Sequence, residues 1–330
     1  MPGDRPPMEL GEAGAPRDAL GRYRNNHNND AHGGRDAAKF LLEMRRMGWA
    51  RPDFPKAPND PAWLAANRTD TAFTWIGHST FLVQAGGLNI LTDPVLSRRT
   101  SPVQWAGPGR IAPLGLTFDE LPKIDVVLIS HNHYDHLDAP TVKKLALRDA
   151  PVFVVPLGLQ AWFERRGIRT ASELDWWRQT IVRGLRVTAV PAQHFSGRTA
   201  TDRNRSLWCG FVFEIKGRRY FFAGDTGYGP DFADIGRRFA PIDVAMIPIG
   251  AYLPRAFMGP VHCDPDEAVK IHRDVGARLS LAMHWGTFRL TLEPLDEPPV
   301  RLQAALLAQG VPEDRFLVLQ HGETFKPSGI

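Results

Sequence analysis

Residues 130–138, SHNHYDHLD, put His131, His133, Asp135 and His136 within six positions at the end of an apolar run, IDVVLIS at 124–130. Imidazoles and carboxylates that follow a buried strand need charge compensation, which a divalent cation provides. Residues two apart in an extended segment share a side. His131 and His133 can therefore converge on one cation, while Asp135 and His136, past the turn, face a second. The competing reading is a polar loop that caps a following helix, with Asp138 and Pro140 as entry signals. Four ligand-type side chains so closely spaced favour metal binding.

A site of that kind needs further ligands, and three candidates stand at the ends of other apolar runs: His194 after VTAVPAQ, Asp225 after YFFAG and His284 after LSLAM. Any one alone reads as a loop histidine or a Gly-Asp turn; strand termini on one edge gather in space, so jointly they read as a cluster. About ten β-rich runs lie at 73–83, 88–93, 124–130, 152–156, 185–193, 207–215, 219–225, 244–249, 279–284 and 315–320. Helical patterns at 140–148, 157–167, 264–275 and 299–309 fall between them. This predicts an α/β domain with two sheets over residues 61–330. Residues 1–60, rich in Gly, Pro, Asn and Arg, read as a mobile arm with one amphipathic helix over 36–47 and a proline-rich linker.

Composition narrows the function. The chain has 330 residues, 43% of them hydrophobic, enough for a large core. Lys and Arg number 40 against 36 Asp and Glu, and the arginines come singly or in pairs without a long basic run, which argues against a nucleic-acid partner. Two cysteines, Cys209 and Cys263, lack C-x-x-C spacing and suit a reducing compartment, so a cytoplasmic location is expected. No stretch of 18 apolar residues occurs. Contact with a membrane would be peripheral, and the arm between Phe40 and Trp63 offers apolar side chains beside basic ones.

H-x-H-x-D-H followed by a His, a Gly-Asp and a final His resembles the metallo-β-lactamase-fold hydrolases over about residues 70–325. That likeness implies a four-layer αββα sandwich with metals at one end. HNHYDHLD, VPLGL (155–159), ELDWW (173–177), FFAGDTGY (221–228), IPIGAY (247–252), HCDPDEAVKIH (262–272) and MHWGTF (283–288) are similar to segments of the N-acylphosphatidylethanolamine-hydrolysing phospholipase D family. The stretch 256–261 and the N-terminal arm fall outside the resemblance.

The resemblance implies two Zn2+ per chain: His131, His133 and His194 on one, Asp135, His136 and His284 on the other, Asp225 bridging. It also implies a phospholipid substrate and leaves room for a homodimer. A paired centre can hold a bridging hydroxide at neutral pH. Two dications against two carboxylates and a hydroxide leave one positive charge, which a phosphodiester monoanion balances. The implied reaction is zinc-dependent cleavage of N-acylphosphatidylethanolamine to N-acylethanolamine and phosphatidate. The alternative is a two-zinc hydrolase of another phosphodiester, ester or lactone.

By the same likeness Asp225 and His262 are the catalytic residues, and His262 and Tyr134 contact substrate. His262 also reads as a loop histidine tied to backbone, and Tyr134 as packing above the metals. His78 reads as a partner of the ligands or a strand-pairing residue, with Asp138 and the groups around Asp225 as further partners. His272 and His321 read as structural, and His27 and His32 as solvent-facing. Trp176, Trp177, Trp208, Phe211, Phe213, Tyr252, Phe257 and Met258 read either as core or as an acyl groove.

Overall fold

The computed structural model describes residues 8–9, 14–27 and 34–327. Along the chain come β1 (Met8–Glu9), α1 (Gly34–Arg46), α2 (Pro61–Ala66), β2 (Ala72–Gly77), β3 (Thr80–Ala85), β4 (Leu88–Thr92), β5 (Val126–Leu128), α3 (Ala139–Arg148), β6 (Val152–Pro156), α4 (Gln160–Glu164) and β7 (Ala171–Leu174). There follow β8 (Arg178–Val182), β9 (Leu185–Val190), β10 (Gly210–Ile215), β11 (Arg218–Phe222), α5 (Asp231–Phe239), β12 (Ile242–Pro248), α6 (Arg255–Met258), α7 (Pro265–Asp274), β13 (Ala277–Met283), α8 (Glu297–Gln309), β14 (Phe316–Leu317) and β15 (Thr324–Phe325). One sheet has the order β1-β8-β9-β10-β11-β12-β13-β14 and the other β15-β2-β3-β4-β5-β6-β7.

Strand alternation sorts the side chains into layers. In β5, Val126 and Leu128 join the cluster between the sheets, together with Phe73, Trp75, Val83, Ile90, Val187, Phe211 and Phe213. Val127 turns the other way, to Val142 and Leu145 of α3 and Phe163 of α4. α5, α7 and α8 contribute Phe232, Ile235, Val269, Ile271, Leu302 and Leu306 to the core of the larger sheet. Helices thus cover both outer faces, the αββα arrangement that the family resemblance implied. Trp176, Trp208, Phe211 and Phe213 belong to the core, so they form no acyl groove. Tyr252 is fully buried, and its hydroxyl donates to Glu297 Oε1 at 2.6 Å.

Several elements differ from the sequence reading. The run 73–83 is a hairpin, β2 and β3, because His78 at φ 54° turns the chain back. Only Gln160–Glu164 of the expected 157–167 helix is helical, and only Phe316–Leu317 of the 315–320 run is strand. β7, β8 and α5 were not anticipated. The amphipathic helix expected at 36–47 is α1. Residues 14–27, which composition reads as part of a mobile arm, lie along the domain: Tyr23 is 2% exposed, and the Ala15 amide donates to Asp175 Oδ1 at 2.9 Å. His32 lies outside the described residues.

Strands β4, β5 and β6 run parallel, as do β11, β12 and β13. Their carboxyl ends therefore deliver the following loops to one edge, where ligands of open α/β sheets collect. Gly224 and Gly250 let these loops close up. A Cβ on Gly224, whose φ is +62°, would lie 2.7 Å from Ser130 Cβ; one on Gly250 would lie 2.2 Å from the His284 carbonyl oxygen.

Candidate metal centre

The loop after β5 carries His131, His133, Asp135 and His136; the ends of β9, β11 and β13 lead to His194, Asp225 and His284. All seven meet. His131 Nε2 is 2.8 Å and His194 Nε2 3.2 Å from His133 Nδ1. Asp225 Oδ2 stands between the two halves of the cluster, 3.0 Å from His136 Nε2, 3.1 Å from His284 Nε2, 3.8 Å from His194 Nε2 and 3.9 Å from His131 Nε2. Asp135 Oδ2 lies 3.4 Å from His136 Nε2 and 3.6 Å from His284 Nε2.

Among the described residues four overlapping groups result, each with ligand atoms within 4.8 Å of one another: His131, His133 and His194; His78, Asp135, His136 and His284; Asp93, His131 and His136; and His194, Asp225 and His262.

Outer partners fix the tautomers. Asp93, at the end of β4, accepts from His136 Nδ1 at 2.7 Å and from Ser130 Oγ at 2.5 Å through Oδ2, and from the Ser130 amide at 2.7 Å through Oδ1. Because the Ser130 hydroxyl donates to Asp93, its oxygen accepts from His131 Nδ1 at 2.9 Å. His194 Nδ1 donates to the Val261 carbonyl at 2.9 Å. With Nδ1 engaged in this way, all three rings turn Nε2 inward, the atom a metal ligand would use. His78 Nε2 donates to Asp135 Oδ2 at 2.9 Å, so His78 is a partner of Asp135 as well as a turn residue.

The electrostatics ask for positive charge. Burial pushes His131 well below the ordinary imidazole value, and His133 and His194 down to about 3 and about 4. In His284 burial acts the same way, but the negative charge of Asp225 and the nearby carboxylate of Asp135 outweigh it and lift the ring to about 9. His136 is likewise held well above its usual value: the penalty of burial is overcome by Asp225, Asp135 and Asp93. Buried Asp225 and Asp135 are held well below the carboxylate range, burial being opposed chiefly by His136.

The inward atoms His136 Nε2 and His284 Nε2, and the second carboxylate oxygen of Asp225, Oδ1, are buried without hydrogen-bond partners. Orphaned polar atoms are rare in a native interior. Facing one another in a His and Asp donor set, they fit divalent metal.

His262 also reaches the cluster. It is 7% exposed, with its ring centroid 5.0 Å from that of His194 and 5.3 Å from that of His284, and Nδ1 has no hydrogen-bond partner. Tyr134 is placed differently. Its hydroxyl donates to the Arg198 carbonyl at 3.1 Å, and the Arg198 guanidinium stacks 3.9 Å from its ring centroid. Asp138 stays outside the cluster, accepting from Thr141 Oγ1 at 2.5 Å and Ser97 Oγ at 2.8 Å and so tying the 96–97 loop to α3.

His272 and His321 serve the core, hydrogen-bonded to Ser280 and Thr287. His27, expected in solvent, is 3.5 Å from Asp231 with its side chain 42% exposed. Asp93 and Arg198 went unnoticed in the sequence; the only signal for Asp93 was its place at the end of the run 88–93.

A αββα fold with these side chains at the strand ends is that of a metal-dependent hydrolase. The chain is 39% identical over 268 residues to N-acyl-phosphatidylethanolamine-hydrolyzing phospholipase D 1 of Caenorhabditis elegans, covering 77% of this chain and 75% of the worm protein. It is 38% identical over 259 residues to the mitochondrial N-acyl-phosphatidylethanolamine-hydrolyzing phospholipase D of Saccharomyces cerevisiae, covering 76% of this chain and 55% of the yeast protein. A metallo hydrolase of Ignicoccus hospitalis shares the fold, with a TM-score of 0.60, 22% identity, and coverage of 79% of this chain and all of that one. Residues 88–285 match the beta-lactamase superfamily domain, and the chain belongs to that superfamily and, within it, to the N-acylphosphatidylethanolamine-hydrolysing phospholipase D family.

Proposed function

We propose that the chain is a two-zinc phosphodiester hydrolase that cleaves N-acylphosphatidylethanolamine to N-acylethanolamine and phosphatidate. The observation that carries this reading is the carboxylate of Asp225 between two groups of ligand atoms, in a chain so similar to the worm enzyme. His131, His133 and His194 would hold one ion, Asp135, His136 and His284 the other, and Asp225 both. Neither cysteine is near enough to contribute a thiolate, since Cys209 and Cys263 belong to none of the ligand groups among the described residues.

Bound there, divalent ions supply an activated water near neutral pH and offset the charge that develops on phosphoryl oxygens. The protein's own part is positioning. Asp93, Ser130 and Val261 hold the rings of His136, His131 and His194, and His78 holds Asp135. His262 brings a ring nitrogen within 4.8 Å of ligand atoms of His194 and Asp225 and can hydrogen-bond a phosphoryl or leaving-group oxygen. In the hydrolysis a water oxygen forms the new bond to phosphorus, the bond from phosphorus to the ethanolamine oxygen breaks, and that oxygen leaves with a proton.

One observation favours a lipid. Leu42, Met47 and Trp49 are exposed near Arg45, Arg46 and Arg51, a pairing that suits peripheral contact with an anionic bilayer. Among the described residues no helix is long and apolar enough to cross a membrane.

The test is to incubate purified protein, its metal content measured on the same sample, with N-acylphosphatidylethanolamine vesicles and separately with water-soluble phosphodiesters and lactones. Release of N-acylethanolamine and phosphatidate is the expected outcome. Turnover of the soluble compounds alone would replace the phospholipase reading with that of another hydrolase on the same fold.

A further inference from the structure

Residues 14–27 precede the matched superfamily domain, yet they reach a ligand of the metal centre. Asn25 Nδ2 donates to the His194 carbonyl at 3.0 Å, and the His194 amide donates to Asn25 Oδ1 at 3.1 Å. One side-chain amide thus satisfies both backbone groups of one residue, as a neighbouring strand would. The same Oδ1 accepts from Trp208 Nε1 at 2.9 Å, and Trp208 is 1% exposed in the core between the sheets. The clamp is therefore anchored to the buried core.

The need for a clamp follows from where His194 stands. β9 ends at Val190, so His194 lies beyond the last ladder pair. On one side Gln193 is fixed by Thr226, whose Oγ1 accepts from the Gln193 amide at 2.9 Å, and by the Gly227 amide, which donates to the Gln193 carbonyl at 2.8 Å. His194's own amide and carbonyl go to Asn25. A buried backbone group without a partner carries a desolvation cost, so loss of Asn25 leaves two such groups or forces the loop to move.

The arm is docked independently on either side of Asn25. Asn26 Nδ2 donates to Asp231 Oδ1 at 2.8 Å, the Tyr23 amide donates to the Asn204 carbonyl at 2.9 Å, and Asn204 in turn bonds Ser196.

We infer that the N-terminal arm is a working part of the metal centre, with Asn25 as a positioning residue that sets the backbone of His194. The ring is already oriented at Nδ1 by Val261, so the backbone clamp fixes the remaining freedom, the placement of Nε2 against His131, His133 and Asp225. The dependence on the arm runs through His194. The inference rests on the metal reading above.

The test uses the full chain as Asn25→Ala and Asn25→Asp variants, with zinc and cobalt ions as probes. Zinc affinity is read by competition with a chromophoric chelator, and ligand field by the visible spectrum of the cobalt-loaded protein. Leu306→Ala, a core truncation in α8, controls for general destabilisation.

The expected result is a loss of about 10- to 100-fold in affinity for one of two ions, the usual effect of removing a partner of a ligand, with an altered cobalt spectrum in both Asn25 variants and neither change in Leu306→Ala. Asn25→Asp keeps the acceptor for the His194 amide but sets an oxygen against its carbonyl, so it reports on the clamp if the alanine variant does not fold. Parental affinity and an unchanged spectrum in a folded Asn25 variant would overturn the inference, as would equal losses in Leu306→Ala. A parental chain that takes up no metal would overturn the metal reading itself, a distinguishable outcome.

Discussion

Asp93→Asn removes one charge from the floor of the site while keeping the shape of the side chain. Asp93 is fully buried and accepts three hydrogen bonds, from His136 Nδ1, Ser130 Oγ and the Ser130 amide. Asparagine offers one acceptor oxygen. If that oxygen faces the Ser130 amide, the new NH2 faces His136 Nδ1, and the ring must move its proton to Nε2, the atom aimed at the metal. If the amide is reversed, the buried Ser130 amide is stranded, at a cost of about 1–3 kcal/mol.

Hydrogen bonds to charged groups are worth about 1.5–3 kcal/mol each, so losing two places the total near ~3–6 kcal/mol, divided between folding and metal binding. A 10- to 100-fold loss of metal affinity is the usual share of a ligand's partner, equivalent to about 1.4–2.7 kcal/mol. Because Ser130 relays Asp93 to His131, both groups of ligands should weaken, unlike the one-ion effect expected for Asn25. Chelator competition at pH 7 measures the affinity and chemical denaturation of chelator-treated protein measures the stability. Parental values of both would refute the argument that Asp93 sets the tautomers.

Four other outcomes are expected. Asp225→Asn should cut turnover by orders of magnitude; parental turnover with metal still bound would remove its bridging role. His262→Gln should retain parental metal content and lose about 10²- to 10⁴-fold in kcat, the range for a positioned proton-transfer group, and a loss of metal instead would make His262 a ligand. Stripping metal with a chelator should lower the unfolding free energy, and restoring zinc to 1,000 times its Kd should return about 4 kcal/mol, checked by denaturant titration.

The last concerns acid. Burial, then Arg110, pushes His321 down to about 3, so the folded chain binds fewer protons than the unfolded one between pH 6.5 and about 3. Stability is whole above that window and falls on acidification by about 1.4 kcal/mol per pH unit from this group. His321→Gln should show a shallower acid slope than the parent in denaturant titrations at pH 7, 5.5 and 4.5 (roughly that difference per unit); identical slopes would remove His321 from the account.

The seven candidate ligands were legible because each follows an apolar run that the one-dimensional pattern marks. The sheets were legible through the same runs, though the hairpin at His78 and Ser79 was hidden within 73–83 by uniformly β-rich residues. α5 was overlooked although Phe232, Ile235 and Phe239 share a helical face, because Pro230 and Gly236 break the pattern.

Sequence alone marked the two sheets and the candidate ligands, since alternation of apolar side chains dictates which face is buried and dense histidines beside a strand end favour a cation. Tertiary structure alone decided what holds those ligands. Asp93, Asn25 and Arg198 are single polar residues in unremarked segments, 38, 169 and 64 positions from His131, His194 and Tyr134. A hydrogen bond depends on distance and angle between two groups, and neither is written in the neighbours of either residue along the chain.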